Sequence, residues 1–128
     1  MDGKQKFYLC EQCGNMIGLI EDMGVPMICC GEAMTELVAN TTDASVEKHL
    51  PSVTVEGDSL CVAVGSAPHP MEEEHHITFV YVETERGGQR KCLRIGEEPE
   101  LRFCFTEDTP IAVYAYCNLH GLWKTDCE

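Results

Sequence analysis

The feature that most constrains this chain is a set of four cysteines within residues 1–37. A segment of that length is too short to build a stable hydrophobic core alone, so a cross-link or a metal has to hold it together. The cysteines form a Cys10-x2-Cys13 pair and, fifteen residues later, the adjacent pair Cys29-Cys30. The chain is therefore predicted to begin with a small metal-stapled module, residues 1–37.

The spacing of these cysteines is typical of a four-thiolate metal site. A C-x2-C turn directs two sulfurs at one centre, and a second pair completes a tetrahedron. Gly14 and Gly31 follow the two pairs and permit positive φ, which leaves backbone N–H groups free to face sulfur. Spacing alone leaves zinc and iron open, including a purely structural zinc knuckle. A disulfide between Cys29 and Cys30 is a poor alternative, because it would strain the peptide bond that joins them.

Composition and charge exclude several classes of protein. The 128 residues are 44% hydrophobic, which is enough for a folded core. A net charge of −13 argues against nucleic acid or an anionic membrane as a partner, because phosphates require a basic face. No apolar run approaches the roughly 20 residues of a membrane span. Nine cysteines without an apparent secretory signal predict a cytoplasmic protein whose cysteines are thiols or metal ligands.

The second part of the chain, residues 38–128, predicts a β-sandwich. A small, polar linker at 39–44 precedes it. Short β-branched and aromatic runs then follow one another, and sustained helical periodicity is nearly absent. Six or seven short strands in about 85 residues favour two packed sheets. The predicted strands cover residues 53–55, 60–64, 76–82, 91–95, 101–105 and 109–117, the last of these closing the domain.

The five histidines suggest a second metal site in this part of the chain. His49 precedes Leu50-Pro51, and His69 lies between two prolines. Prolines hold such segments extended, which limits the entropy lost on ligation. His120 follows Cys117 by three residues, so a strand end offers a thiolate and an imidazole to one ion. These motifs favour a metal site, and ordinary surface or core histidines are the alternative reading of the same residues.

Three motifs resemble the signature of the superoxide reductase (neelaredoxin) family. They are Glu47-Lys48-His49-Leu50-Pro51, His69-Pro70-Met71-x3-His75 and Cys117-Asn118-Leu119-His120-Gly121-x-Trp123. The N-terminal cysteine pattern is similar to desulforedoxin, so the order along nearly the whole chain resembles desulfoferrodoxin, a two-iron superoxide reductase. The resemblance implies a mainly β chain with a rubredoxin/desulforedoxin-like iron module at 1–37 and an immunoglobulin-like β-sandwich at 38–128.

The same resemblance implies two irons per chain and assigns their ligands. It gives the four cysteines to a rubredoxin-like iron and four histidines with one axial cysteine to a second iron. His76 directly follows a ligand position, but the family spacing selects His75, and strand alternation would put His76 on the opposite face. The implied ligands are Cys10, Cys13, Cys29 and Cys30 for the first iron, and His49, His69, His75, His120 and Cys117 for the second.

Catalytic roles and partners are also implied by the resemblance. Glu47 and Lys48 match the family's pair beside the open sixth position of the iron. Lys48 would attract superoxide and help its protonation, and Glu47 would occupy the sixth position after oxidation. The implied reaction is one-electron reduction of superoxide to hydrogen peroxide without oxygen production, in antioxidant defence. Rubredoxin or a similar protein would be the electron donor, and the protein would be a homodimer.

Two other classes of function remain open on the residues alone. One is an electron carrier in which the four-cysteine iron is the active centre, and the other is a zinc-stabilised binding module. The cysteines outside the two ligand sets predict no chemistry of their own. Cys61, Cys92 and Cys104 lie in apolar strands and are predicted to be small core residues. Cys127 is expected to be exposed and oxidisable, and Met71 and Trp123 are expected to pack near the histidines.

Overall fold

The computed structural model describes residues 3–127, which form two compact units. The smaller unit spans Lys4–Val38, and the larger contains the described residues from Ala39 onward together with Gly3. The chain is mainly β, as predicted. The described residues contain one helix, of four residues, and none that is long and apolar enough to cross a membrane.

The small unit consists of short antiparallel strands with very little core. Strands β2, β1 and β5 form one sheet in that order, and β3 and β4 form a hairpin. Among its described residues only Phe7 and Cys10 are buried hydrophobics. Apolar burial therefore contributes little here, and the unit depends on its cysteines. The strands are β1 (Lys6–Leu9), β2 (Met16–Leu19), β3 (Ile28–Cys29), β4 (Glu32–Ala33) and β5 (Thr35–Glu36).

The large unit is a sandwich of two antiparallel sheets. One sheet has the order β10-β7-β6 and the other the order β12-β11-β8-β9. A short helix, α1, precedes the first strand. The elements are α1 (Val46–His49), β6 (Pro51–Glu56), β7 (Ser59–Val64), β8 (Ile77–Thr84), β9 (Gly87–Cys92), β10 (Glu100–Cys104), β11 (Pro110–Cys117) and β12 (Gly121–Asp126).

The core between the two sheets contains side chains that alternate along their strands. Along β7 every second residue is buried, and Phe103 of β10 lies opposite Leu60 in the antiparallel register. These side chains join Ile77, Val80 and Val113 from the other sheet in one apolar cluster. A strand with one buried and one exposed face requires this period of two.

Two features of the sandwich differ from the sequence prediction. The strand that ends at Cys117, β11, is not the last one of the sandwich. β12 follows it and pairs with it from Ala112↔Asp126 to Cys117↔Gly121. The Gly87-Gly88 pair is typical of a turn in sequence, yet both glycines belong to the start of β9 and pair with β8. A Cβ at Gly88 would overlap the hydroxyl of Tyr81, so the glycine lets this ring lie across the strand.

The four other cysteines are not placed as predicted. Cys92 and Cys104 are exposed and Cys61 is only half-buried, so the prediction of three core residues is wrong. The physical reason is that β9 is an edge strand and that Cys61 and Cys104 alternate with buried neighbours. Cys127 is half-buried and packs against the core, and burial raises the pKa of its thiol. The expectation of an exposed Cys127 is therefore also wrong, and the raised pKa lowers the share of reactive thiolate.

Candidate metal centres

Four sulfurs converge in the small unit. The Sγ atoms of Cys10, Cys13, Cys29 and Cys30 all lie within 4.8 Å of one another. The Cys13–Cys29 and Cys29–Cys30 sulfur distances are 3.6 Å and 4.0 Å. A tetrahedron of thiolates about 2.3 Å from a metal has edges of about 3.8 Å, so the spacing fits a four-coordinate ion. The predicted cysteines are thus brought together with the dimensions that zinc or iron requires.

The backbone around these cysteines is arranged to donate to sulfur. The N–H of Cys13 donates to Cys10 Sγ at 3.5 Å, and the N–H of Asn15 donates to Cys13 Sγ at 3.5 Å. Gly14 and Gly31 both have positive φ, which permits these tight turns. The Cys13 N–H lowers the pKa of Cys10 to about 6, while hydrogen bonds with the other cysteine sulfurs raise the pKa of Cys30 to about 12. Binding of a cation would therefore release protons from this cluster.

In the large unit, three connections meet at one end of the sandwich. The register explains why: Pro51, which opens β6, pairs with Val64 at the end of β7, and Ile77, which opens β8, pairs with Cys117. The α1–β6 junction, the β7–β8 connection and the β11–β12 turn are therefore neighbours. They carry the predicted ligands His49, His69, His75, Cys117 and His120.

The four imidazole rings of this group stand at the corners of a square. Successive ring centroids, in the order His49, His69, His75, His120, are 4.6, 4.7, 5.1 and 4.9 Å apart around the square. The His49–His75 diagonal of this square is 6.4 Å. Adjacent rings are nearly perpendicular, at 75° to 89°. Such an arrangement lets each ring direct one nitrogen toward a common centre.

The hydrogen bonds at the rim decide which nitrogens face that centre. His49 Nδ1 lies 2.7 Å from Ser45 O, and His69 Nδ1 lies 2.7 Å from Pro70 O. A carbonyl oxygen only accepts, so both Nδ1 atoms carry the proton and both Nε2 atoms carry a lone pair. Burial lowers the pKa of His49, and it lowers that of His69 to about 4, so both rings are neutral at pH 7. Two lone pairs 3.1 Å apart repel unless a cation lies between them.

The remaining donor atoms complete the same centre. His75 Nε2 is buried and has no hydrogen-bond partner among residues 3–127. His120 turns Nδ1 inward, 3.1 Å from His49 Nε2 and 3.8 Å from Cys117 Sγ. A square with edges of 3.1 Å has its centre about 2.2 Å from each corner, close to an ordinary metal–imidazole bond of about 2.1 Å. The residues present therefore fit a metal ion held by four imidazoles and one thiolate.

The side chain of Trp123 supports two members of this group at once. Its ring stacks on His49 with a centroid distance of 5.0 Å, and its Nε1–H donates to His120 O at 3.1 Å. Cys117 is completely buried, and its sulfur receives the N–H of His120 at 3.4 Å. The expectation that Trp123 packs near the histidines is confirmed. Met71 is buried in the apolar cluster of the sandwich.

Glu47 and Lys48 lie on α1 directly before His49, and both are exposed. The predicted catalytic pair therefore lies at the surface and directly precedes His49 in the chain. His76 turns away from the group, with Nδ1 3.0 Å from the carbonyl oxygens of Glu72 and Glu73. Since β8 begins only at Ile77, strand alternation is not the reason for this orientation.

Comparison with known proteins agrees with this geometry. The sequence profile of the desulfoferrodoxin family matches residues 41–126. The chain belongs to the desulfoferrodoxin family. It is 40% identical to the desulfoferrodoxin of Syntrophotalea carbinolica, with 98% of this chain and 99% of that protein covered. It is 36% identical to the desulfoferrodoxin of Nitratidesulfovibrio vulgaris, over 98% and 99% of the two chains.

One solved structure resembles this chain over nearly its whole length. The superoxide reductase of Treponema pallidum superposes with a TM-score of 0.81 at 34% identity, covering 97% of this chain and all of that one. The predicted family and the predicted fold class are therefore confirmed.

In this desulfoferrodoxin-family site, Asn118 has a structural role that its position in the motif did not indicate. Asn118 Nδ2 donates to Glu74 O at 3.0 Å, and Asn118 Oδ1 accepts the N–H of His76 at 2.8 Å. The Asn118 N–H donates in turn to His76 O at 3.1 Å. Asn118 thereby fastens the segment that carries His75 to the strand end that carries Cys117. Its place directly after Cys117 was the only signal in the sequence, because the partners lie more than 40 residues away.

Proposed function

We propose that this protein is a superoxide reductase that reduces superoxide to hydrogen peroxide without producing oxygen. The observation that carries the proposal is the convergence of four imidazole nitrogens and one buried thiol on a single centre. Five protein ligands leave one of six coordination positions for a substrate, which is typical of a catalytic rather than a storage site. The whole-length likeness to a superoxide reductase structure supports the assignment.

Iron suits both groups of ligands. Cys10, Cys13, Cys29 and Cys30 would hold the first iron. His49, His69, His75, His120 and Cys117 would hold the second, which supplies the electron, and the Cys117 thiolate would strengthen electron donation. Anaerobically loaded protein should contain two irons per chain. After oxidation it should show the red spectrum of a ferric four-thiolate site, with an added thiolate-to-iron band at longer wavelength. A colourless zinc protein would contradict the proposal.

The chain's own residues would manage charge and protons in this reaction. Superoxide takes up one electron and two protons to give hydrogen peroxide, and its oxygen–oxygen bond is kept. The Lys48 ammonium would attract the anion and assist protonation. The Glu47 carboxylate, two residues before His49, would occupy the sixth position after turnover. Both side chains are exposed and adjacent to a proposed ligand, so both can reach solvent-borne substrate.

Lys48→Ile is expected to slow the second-order reaction with superoxide several-fold without removing iron. At about 6 Å and an effective dielectric near 20, one positive charge stabilises an incoming anion by about 3 kcal/mol before screening. Side-chain entropy and desolvation reduce this to about 1 kcal/mol for a mobile surface lysine. Stopped-flow or pulse radiolysis of the reduced protein measures the rate.

Salt dependence separates this local effect from the net charge of −13. The Debye length at physiological salt is about 8 Å, so distant carboxylates are largely screened at the site. Added salt should slow the parent protein and should slow Lys48→Ile less or even accelerate it. Lys4→Ile makes the same change in net charge within the small unit and should behave as the parent. Equal rates and salt slopes for the parent and Lys48→Ile would reject the guiding role of Lys48.

Cys13→Ser is expected to abolish the first iron while leaving superoxide reduction by pre-reduced protein within about twofold of the parent. Each group of ligands is complete within its own compact unit. The small unit should lose stability, because it buries few apolar residues and relies on its metal. Iron counting and stopped-flow kinetics on the same sample provide the check. A variant that keeps the second iron but loses the fast reaction would show that the centres are not independent.

The partners follow from the same proposal. The protein would act in the cytoplasm, receive electrons from rubredoxin or a similar donor, and form a homodimer. Exposed apolar side chains on the small unit support self-association, because such surface is costly to leave in water. They are Ile20, Met23, Val25, Met27, Ile28 and Val38. Light scattering should give a mass twice that of one chain.

A further inference from the structure

Gly65 sits where the backbone of the sandwich comes closest to α1. It follows the last residue of β7 directly and has a φ of 60°. A Cβ built at this position would overlap the carbonyl oxygen of Glu47 and would lie 2.6 Å from the carbonyl carbon and 2.7 Å from the Cα of Lys48. All three are backbone atoms, which cannot rotate away as the end of a flexible side chain can. Only a residue without a side chain permits this approach.

The turn that begins at Gly65 also holds the same peptide by hydrogen bonds. The Ala67 N–H donates to Glu47 O at 2.9 Å, and the Ser66 hydroxyl donates to Glu47 O at 3.3 Å. The peptide that joins Glu47 to Lys48 is therefore packed against Gly65 and bound by the next two residues of the turn. No side-chain cap is found at the start of α1, where Ser45 is the N-cap.

The helix has little stability of its own to resist displacement. It contains four residues, and a single helical turn is marginal without tertiary contacts. The turn is anchored more firmly, because Val64 pairs with Pro51, its N–H donates to Pro99 O at 2.9 Å and its carbonyl accepts the His69 N–H at 3.1 Å. His49, the last residue of α1, is held by its stacking on Trp123. A methyl group at residue 65 would therefore be relieved by movement of the Glu47–Lys48 peptide rather than of the turn.

We propose that Gly65 is a positioning residue for the Glu47–Lys48 pair. Its missing side chain lets the turn of Gly65, Ser66 and Ala67 fix the peptide between Glu47 and Lys48, and thereby sets where the carboxylate and the ammonium begin. This inference rests on the proposed roles of Glu47 and Lys48 in superoxide reduction. Gly65 itself does not contact substrate, and it acts through the backbone of α1.

The chain provides a matched control at the other end of the same strand. Gly57 precedes β7 and has a φ of 62°, nearly the same as that of Gly65. Among residues 3–127, no atom lies within 4 Å of a Cβ built at Gly57. Gly65→Ala and Gly57→Ala therefore introduce the same backbone strain, and only the first forces atoms into α1. Any difference between the two variants measures the close approach rather than the loss of a glycine.

The test compares both variants with the parent as full-length, iron-loaded protein. In Gly65→Ala the Ala67 amide should exchange with deuterium at least about tenfold faster, as measured by mass spectrometry of peptides that contain it. The second-order rate with superoxide should fall several-fold at unchanged iron content, and its salt slope should move toward that of Lys48→Ile. Gly57→Ala should match the parent in exchange, rate and salt slope. Ser66→Ala, which removes one hydrogen bond and adds no clash, should change the same quantities in the same direction but less.

Two results would overturn the proposal. One is equal exchange and kinetics in Gly65→Ala and Gly57→Ala. The other, which applies also if Gly65→Ala does not fold, is a Ser66→Ala protein that is identical to the parent in amide exchange, rate and salt slope. A parent protein that does not reduce superoxide would contradict the proposed function, while the exchange comparison would still report whether Gly65 holds α1.

Discussion

Cys117→Ser is expected to react with superoxide at least about a hundredfold more slowly than the parent protein, which corresponds to about 2.7 kcal/mol in the activation barrier. Serine is nearly isosteric, so the buried end of β11 should keep its shape. A serine hydroxyl stays neutral near pH 7 and donates far less electron density than a thiolate. Stopped-flow kinetics with pre-reduced protein measures the rate. In the spectrum of the oxidised protein, the long-wavelength thiolate-to-iron band should vanish.

A matched cysteine controls for the substitution itself. Cys104→Ser changes an exposed cysteine on β10 that lies outside both ligand groups. It should retain the parent's rate, spectrum and iron content. If Cys117→Ser kept its iron together with an unchanged rate or an unchanged long-wavelength band, the thiol would not be a ligand of the reacting centre.

Trp123→Ala is expected to lower the free energy of unfolding by about 3–5 kcal/mol, the usual cost of removing a buried aromatic ring. The side chain is 2% exposed, stacks on His49 and donates to the carbonyl of His120. Its loss should also weaken iron binding, because two proposed ligands lose their support. Urea unfolding of metal-free protein and competition with a chelator measure the two effects separately.

Trp123→Phe is the comparison that apportions these contributions. Phenylalanine keeps an aromatic ring to stack on His49, and it loses the N–H donor to His120 together with part of the buried ring volume. The expected cost is therefore about 1–3 kcal/mol, less than that of alanine. Equal destabilisation by the two substitutions would assign the effect to the hydrogen bond. A cost below about 1 kcal/mol for Trp123→Ala would contradict the view that this ring supports the site.

The parts of the fold that were predictable are those that local pattern encodes. The alternation in β7 and β10 reports directly which face is buried, because side chains in a strand point to opposite sides in turn. The C-x2-C pair and the Cys117-x2-His120 pair were predictable for the same reason, since both place two ligands on one short turn. The proline on either side of His69 was also a local signal, because it indicates an extended segment.

The parts that were missed depend on contacts between distant residues. β12 has a mixed sequence, and only its pairing with β11 makes it a strand. Gly87 and Gly88 are typical of a turn, yet β8 draws them into a ladder. Cys92 is exposed because β9 lies at a sheet edge, which no local pattern indicates. Gly65 and Asn118 act on segments 17 or more residues away along the chain, so their contributions became visible only in three dimensions.

The most direct test of the central claim is the product balance when reduced, iron-loaded protein reacts with superoxide from pulse radiolysis. A reductase uses one electron from the protein for every superoxide consumed. We therefore expect the parent to give one hydrogen peroxide per superoxide and to release no oxygen. Cys117→Ser at equal iron content should not show this product balance. Half an equivalent of peroxide accompanied by an equal amount of oxygen would show dismutation, and would contradict the account.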